Sequence, residues 1–503
     1  MLRKIGPPVL SGILLFLSFP KWNLGALAWF ALVPLLFAAV RSGSLQAFLS
    51  GWLAGWVGFC GILYWIVPTF MAAKVPGWLG VLSVGLLAGY LALFSGVFAW
   101  SARWLHGRAS APAFAVLAAA AWVVLEAARG RLFGGFPWLL LGVSQWRAVP
   151  LIQVAEWTGV YGVSASVALV NAFLFLAVSR RRPDRLLGLM IAAVLAADLW
   201  LLRRSSDRPD EGGIRVAVLQ GNIDQYKKWD RSYVREILEV YSALSGEAAS
   251  ALAGMPEPRL IVWPETAAPG WVPNEPWLTD WLGRTVRETG CHHLVGAVSR
   301  EEGGNYNSAF LIAPDGGIRA RYDKIHLVPF GEFVPFQEVL GGMIAVLNDL
   351  GGFESGRESQ VITVPGAAFG VSVCYEMIFP ELIRRQPGAG ARFLVNVTND
   401  GWYLDTAAPE QHFAMNVLRA VENRRAVVRA ANTGISGVIG PEGRVESKSV
   451  LGRREVLSAP VPFRSETTFY SRHGNAFAGA CGLLLAAAVP AIRNKKRKEH
   501  ENT

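Results

Sequence analysis

Cysteine is scarce and scattered in this 503-residue chain: four residues, at 60, 291, 374 and 481, with no Cys-x-x-Cys spacing. That number and placement exclude a disulfide framework and a structural zinc site. Histidine is almost as sparse, with seven residues and no HExxH-type spacing, so neither a metal nor a cofactor is expected. Charge is low as well: 17% of residues are charged against 52% hydrophobic, more apolar than a soluble protein of ordinary composition. A membrane protein is the default reading.

Eight apolar runs approach the roughly 20 residues needed to cross a bilayer: 7–19, 24–40, 47–70, 79–104, 113–127, 154–178, 186–202 and 475–492. The first run lacks a small-residue cleavage site and leads straight into the second, so no cleavable signal peptide is expected. The net charge of +10 invites a nucleic-acid reading, but the basic residues cluster at the ends of these runs and not along one face of a soluble domain. Topology explains them better. If eight spans alternate, Arg3, Lys4, Arg41, Arg103, Arg108, Arg180 to Arg182, Arg185 and the tail from Arg493 to Lys498 share one side. Arg129, Arg131, Arg147, Arg203 and Arg204 fall on the other, an imperfect bias that puts both termini in the cytoplasm and the polar block outside.

The expected domains are a transmembrane part at 1–205 with about seven helices, a soluble block at 212–463, a last transmembrane helix at 474–493 and a basic cytoplasmic tail at 494–503. Within the block, short β-rich runs alternate with amphipathic helices, which makes it an α/β domain. The expected strands are 214–220, 259–263, 293–298, 308–313, 370–374, 393–398, 434–439 and 456–461. The expected helices are 231–253, 275–288 and 409–430.

Three polar residues stand in marked settings in this block. Cys374 closes Val371-Ser372-Val373, Glu265 follows Leu260-Ile261-Val262-Trp263-Pro264, and Lys324 lies in Tyr322-Asp323-Lys324-Ile325-His326. Taken singly, each has an ordinary reading as a core thiol, a solvated strand end and a solvated turn. Cys60 and Cys481 lie in expected spans and Cys291 opens an apolar strand, so all three read as small buried hydrophobes. His326 reads as a neighbour of the site or as exposed, not as a metal ligand.

Together with Gln220-Gly221-Asn222 and Asn399-Asp400-Gly401-Trp402, these segments resemble the nitrilase, or carbon-nitrogen hydrolase, superfamily. The resemblance implies an α-β-β-α sandwich with a Glu-Lys-Cys triad: Glu265, Lys324 and Cys374. The membrane flanks narrow it. Phe136-Pro137-Trp138 after Trp122 and Glu126, Gly331-Glu332-Phe333-Val334-Pro335 after the lysine, and a last span after Tyr470-Ser471-Arg472-His473-Gly474 are similar to the apolipoprotein N-acyltransferase family of Gram-negative inner membranes.

That family implies an acyl chain taken from a phospholipid, typically phosphatidylethanolamine, onto Cys374 as a thioester. The chain then passes to the α-amine of a diacylglyceryl-cysteine at the start of an apolipoprotein, and the enzyme is expected to act as a membrane-embedded monomer without nucleic acid. In this scheme Glu265 is the general base, and Lys324 with the N–H of Tyr375 faces the oxyanion. Glu332 is expected to hold the lysine, Glu376 to support the site, and Trp229 and Trp402 to contact substrate by their match to the family's aromatic positions. The apolar, glycine-flanked stretch 336–353 is expected either to dip into lipid as a gate or to pack as an amphipathic helix. Glu126 and Arg129 read as a functional pair or as an interfacial anchor. Two rivals remain. A membrane-tethered amidase would release the acyl group to water, and a transporter or receptor with a degenerate nitrilase domain would need a broken triad.

Overall fold

The computed structural model describes residues 2–225, 227–256, 258–329, 331–333 and 352–501. Of the stretch 336–353, residues 336–351 therefore lie outside the described residues. The chain forms two compact units. The first comprises Met1–Arg208, Thr406–Glu422 and Thr468–Thr503, and the second Pro209–Asp405 and Asn423–Thr467.

In the first unit, six helices among the described residues are long and apolar enough to span a bilayer: Ser44–Leu63, Gly77–Leu105, Ala111–Arg129, Val160–Arg180, Arg185–Ser206 and Ala476–Arg493. The first two expected runs form shorter helices, Lys4–Leu17 and Gly25–Val40. Two other expected spans are broken. Run 47–70 splits into Ser44–Leu63 and Ile66–Ala72. Run 154–178 splits at Gly159, whose φ of +66° ends the short helix Ala155–Thr158 before Val160–Arg180 begins, and where a Cβ would sit 2.5 Å from the ring of Tyr470. Apolar composition alone does not reveal such breaks, because both sides of each break are equally hydrophobic.

Glu126 and Arg129 are buried inside this unit, not at its surface. Glu126 Oε1 accepts a hydrogen bond from the N–H of Leu141 at 2.7 Å, and the Arg129 guanidinium lies 5.0 Å from the centre of the Phe59 ring. The interfacial-anchor reading fails on this burial. The unit also takes in the helix Ala408–Asn423 up to Glu422. Its Gln411 accepts hydrogen bonds from Trp138 and Trp65 and donates to the carbonyls of Pro20 and Ile62, four bonds at 2.8–3.2 Å. Glu422 accepts from the N–H of Val160 at 2.8 Å, a carboxylate at a helix N-terminus where the helix dipole favours it. The soluble block expected to run unbroken over 212–463 is thus interrupted, because this helix has its packing partners in the first unit.

The second unit is built on two six-stranded sheets. One holds β1 (Gly213–Gln220), β2 (Arg259–Val262), β3 (His292–Glu301), β4 (Gly304–Ile312), β5 (Ile318–Asp323) and β12 (Glu455–Pro462), in the order β12-β1-β2-β3-β4-β5. The other holds β6 (Val361–Val364), β7 (Ala367–Val373), β8 (Phe393–Thr398), β9 (Val427–Ala431), β10 (Gly437–Ile439) and β11 (Val445–Lys448), in reverse numerical order from β11 to β6. The sheets share one core, in which Val216, Val218, Leu260 and Val262 meet Phe369, Val371, Val373, Val395 and Val397. The opposite face of the first sheet, with Leu219, Ile261, Trp263 and Val295, packs under the helices Val234–Ala251 and Pro276–Thr289. Short helices at Pro380–Ile383 and Arg385–Gly388 flank β7, where the Gln386 amide donates to the carbonyl of Val371. This is the expected nitrilase-type sandwich.

Four strands were not expected: β5, β6, β9 and β11. The clearest correction is β9, which replaces the end of the expected helix 409–430. The helix stops at Asn423, Arg424 adopts φ +47°, and Val427–Ala431 pairs with β8 on one side and β10 on the other. Two flanking strands outweigh the weak helical signal of Val-Val-Arg-Ala-Ala.

Candidate active site

The parallel strands β7 and β8 run toward the same end of their sheet, and β7 stops at Val373. Cys374 follows with φ +51°, a left-handed conformation rare for a residue with a side chain, and opens the turn Cys374–Ile378. The turn is held by Glu376, whose carboxylate accepts from the N–H of Val373 at 2.6 Å, Ile325 at 2.6 Å and His326 at 3.1 Å, and from the Tyr322 hydroxyl at 2.8 Å. Glu376 therefore ties the nucleophile turn to the segment just after Lys324. Behind the thiol, the Asn396 amide of β8 donates to the Cys374 carbonyl at 3.3 Å.

Glu265 stands just past the end of β2. Gly296 of β3 lets the main chain lie close there, since a Cβ on that glycine would sit 2.2 Å from the carbonyl of Pro264. Lys324 follows β5, and its N–H donates to the carbonyl of Asn307 at 2.9 Å. The Lys324 ammonium is 1% exposed, 2.8 Å from Glu332 Oε1 and 3.6 Å from Glu265 Oε1. The Asn307 amide bridges the same two carboxylates, at 2.7 Å to Glu265 and 3.0 Å to Glu332. Glu332 also accepts from the N–H of Val328 at 2.8 Å, so it orders the segment as well as the lysine.

Electrostatics follow from this packing. Burial, then the Glu265 carboxylate, push the Cys374 thiol up to about 12 against the opposing pull of Lys324. The resting thiol is therefore protonated at neutral pH and needs a base to become a nucleophile. Burial works against the charge on Lys324, but Glu332 and Glu265 outweigh it and raise its pKa, so it remains a cation. Burial raises the Tyr403 phenol well above its ordinary value, with the charges of Cys374 and Asp400 adding to the effect, which puts this side chain near the thiol too.

The structure thus brings Glu265, Lys324, Glu332 and Cys374 into one buried cluster, with Glu376 bracing it. The Tyr375 ring packs on Phe379 and lies near His326. Trp402 is 41% exposed on the turn Asp400–Tyr403. The Trp229 side chain lies outside the described residues, although its main chain forms part of the turn Lys227–Trp229. Sequence reasoning missed Asn307, Asn396, Tyr403 and the buried pair of Asp400 with Arg429, 2.8 Å apart. It also missed Lys228, a second buried lysine, whose ammonium donates to the main-chain carbonyl of Glu265 at 2.8 Å. An amide or charge inside an apolar strand, as at Asn307, Asn396 and Arg429, was the available signal.

Residues 11–173 match the family model of the apolipoprotein N-acyltransferase N-terminal domain, and residues 215–468 match that of carbon-nitrogen hydrolase. An apolipoprotein N-acyltransferase from Geobacter metallireducens is 39% identical over 98% of this chain and 95% of its own length. Proteins of the same description from Brucella melitensis, 34% identical over 96% of this chain and 92% of theirs, and Nitrosomonas europaea, 33% identical over 98% and 97%, are also similar.

Proposed function

The chain belongs to the apolipoprotein N-acyltransferase family, and from that membership and the site geometry we propose a two-step acyl transfer through Cys374. The enzyme is an N-acyltransferase whose acceptor is an apolipoprotein amine. The observation that carries the mechanism is the buried thiol at a left-handed strand end, within the electrostatic reach of both Glu265 and Lys324.

In the first step, Glu265 takes the Cys374 proton and the thiolate attacks the ester carbonyl of a phospholipid, typically phosphatidylethanolamine. The carbonyl oxygen gains the negative charge, and Lys324 with the Tyr375 N–H stabilises it. The C–O bond then breaks, the lysophospholipid alkoxide takes the proton from Glu265, and the acyl chain remains on sulfur. In the second step, the neutral α-amine of the diacylglyceryl-cysteine attacks the thioester. The C–S bond breaks and one amine proton returns to sulfur by way of Glu265. Glu332 and Glu376 position Lys324 and the nucleophile turn, and Trp229 and Trp402 contact substrate.

We place the enzyme in the bacterial inner membrane, with both termini cytoplasmic, the block 212–463 periplasmic and residues 474–493 as the last span. The polyarginine loop at 180–182 and the basic tail support this orientation. We propose that it works as a monomer. An amidase would use the same triad on a small soluble amide, but membership over nearly the whole chain, membrane helices included, favours the lipid-linked reaction.

The test is mass spectrometry of the purified protein after exposure to phosphatidylethanolamine vesicles. The expected result is an acyl-chain mass on the Cys374 peptide, labile to hydroxylamine and discharged by an apolipoprotein amine. Acylation at another residue, or transfer with no thioester, would overturn the mechanism.

A further inference from the structure

The mechanism above leaves one buried charge unused. Lys228 is 4% exposed, yet among the described residues it has no carboxylate at hydrogen-bonding distance of the kind that Lys324 has in Glu332. Its ammonium is spent on the main-chain carbonyl of Glu265, at 2.8 Å. The next residue along, Thr266, has φ +45°, so the carbonyl that Lys228 grips sits at a turn that side-chain-bearing residues rarely adopt. A lysine is an expensive means of satisfying one carbonyl in a dry site, where a neutral donor would suffice.

We propose that Lys228 is a positioning residue for the proton exchange between Glu265 and Cys374: its side chain pins the main chain that carries the base, and its charge makes both groups easier to ionise. The inference rests on the reading of Glu265 as base and Cys374 as nucleophile. The ionisable groups acting on Lys228 are Glu265 after β2, the stronger, and Cys374 after β7. Cys374 also feels Lys324 after β5 and Asp400 after β8. With Lys324, Glu265 and Glu332 charged, the cluster carries one net negative charge, and a protonated Lys228 cancels it. A nearby cation favours the ionised form of a carboxylate and of a thiol alike, so its removal shifts both toward the protonated state.

The effect has a pH window. Burial lowers Lys228 to about 7, with Glu265 and Cys374 resisting the shift. The side chain is therefore a cation below neutrality and loses its charge as the pH rises through that value. Its electrostatic contribution is present on the acid side and fades above it, where only the hydrogen bond to the carbonyl remains.

The experiment uses the full-length enzyme in phospholipid, comparing wild type, Lys228→Met and Lys228→Arg. The rate of thioester formation on Cys374 is followed from pH 5 to 9, with melting temperature measured alongside. In Lys228→Met the acid limb of the rate profile should move up by about one pH unit, which is roughly a tenfold loss on that limb, shrinking above pH 7. Lys228→Arg, which keeps the charge, should hold the limb in place. The melting temperature of Lys228→Met should stay close to that of wild type, the relief of removing a cation from a dry site offsetting the hydrogen bond lost to the Glu265 carbonyl. A limb that superimposes on wild type overturns the proposal. So does a loss of rate that is uniform across pH and accompanied by a lower melting temperature, or a Lys228→Met protein that does not fold, since each assigns Lys228 to structure alone. If wild type forms no thioester on Cys374, it is the two-step mechanism that fails, and the wild-type arm alone reports it.

Discussion

Behind Cys374, on the sheet of β6 to β11, one buried arginine meets one buried carboxylate: Arg429 lies 2.8 Å from Asp400 and also donates to Asn396 and to the carbonyl of Ile435. Around Glu265, on the sheet of β1 to β5 and β12, the charges are shared. Lys324 lies between two carboxylates, Asn307 bridges the same two, and Lys228 approaches from the main-chain side. A matched pair with its donors satisfied has a single low-energy state and serves as a frame. A shared cluster can move a proton with little rearrangement, which acid-base catalysis needs. The difference separates two kinds of damage: breaking the frame should cost stability, and breaking the shared cluster should cost rate and move the pH profile.

The largest effect falls on the group where the two sheets meet. Cys374→Ala should form no thioester and transfer no acyl chain, and Cys374→Ser should leave a trace at most, since a hydroxyl ionises far less readily beside the same base. Alanine at Cys60, Cys291 or Cys481 should leave transfer within about twofold of wild type. Full transfer by Cys374→Ala would remove the nucleophile from this position.

Next comes the frame. Arg429→Met strands Asp400, both side chains being 0% exposed, and should cost about 3–5 kcal/mol of stability. Thermal denaturation in detergent reads this loss. Any shift of the pH profile in the folded fraction should be small, because Asp400 acts on Cys374 less than Glu265 and Lys324 do, and a shift as large as that from breaking the shared cluster would mean that the two sides are not separate.

Glu332→Gln tests the shared cluster. Lys324 would keep Glu265 as its nearest carboxylate and drift from the oxyanion position, lowering the acylation rate roughly tenfold to a hundredfold. Because Glu332 is among the carboxylates that raise the pKa of Lys324, its neutralisation should also move the basic limb of the profile to lower pH. The melting temperature should change little. A large stability loss with the basic limb in place would assign Glu332 to the frame.

The smallest change is Asn307→Leu. It removes one amide donor shared by Glu265 and Glu332, worth about 1.5 kcal/mol, and should slow acylation by roughly tenfold or less. No measurable change would mean that Lys324 alone organises the two carboxylates.

Glu265 and Cys374 each close an apolar segment, a mark that shows in one dimension, whereas Lys324 was singled out by the family resemblance, its ordinary reading being a solvated turn where the structure buries it. Glu332 was found by its match to the family's additional glutamate, and the structure places it 2.8 Å from the Lys324 ammonium. Asn307, Arg429 and Lys228 were not found, although the first two sit in strands where a polar side chain needs a partner. Their partners come from β2 and its following turn, from the turn after β8, and from main chain 37 residues away. The misread helix has the same origin. Residues 409–430 are apolar enough at helical spacing, and the strand at Val427–Ala431 exists only because β8 and β10 lie beside it.

What the sequence by itself determined is what depends on local pattern: the division into apolar spans and an α/β block, most strand positions, and the polar residues that close apolar strands, since hydrophobic periodicity and composition act over a few turns or residues. The tertiary structure alone decided where spans break, that Thr406–Glu422 packs with the membrane helices, and which buried charges share a partner and which are paired. Those outcomes depend on the desolvation and pairing of groups distant in the chain, and the energy of a buried charge is set by what lies within a few ångströms of it in space.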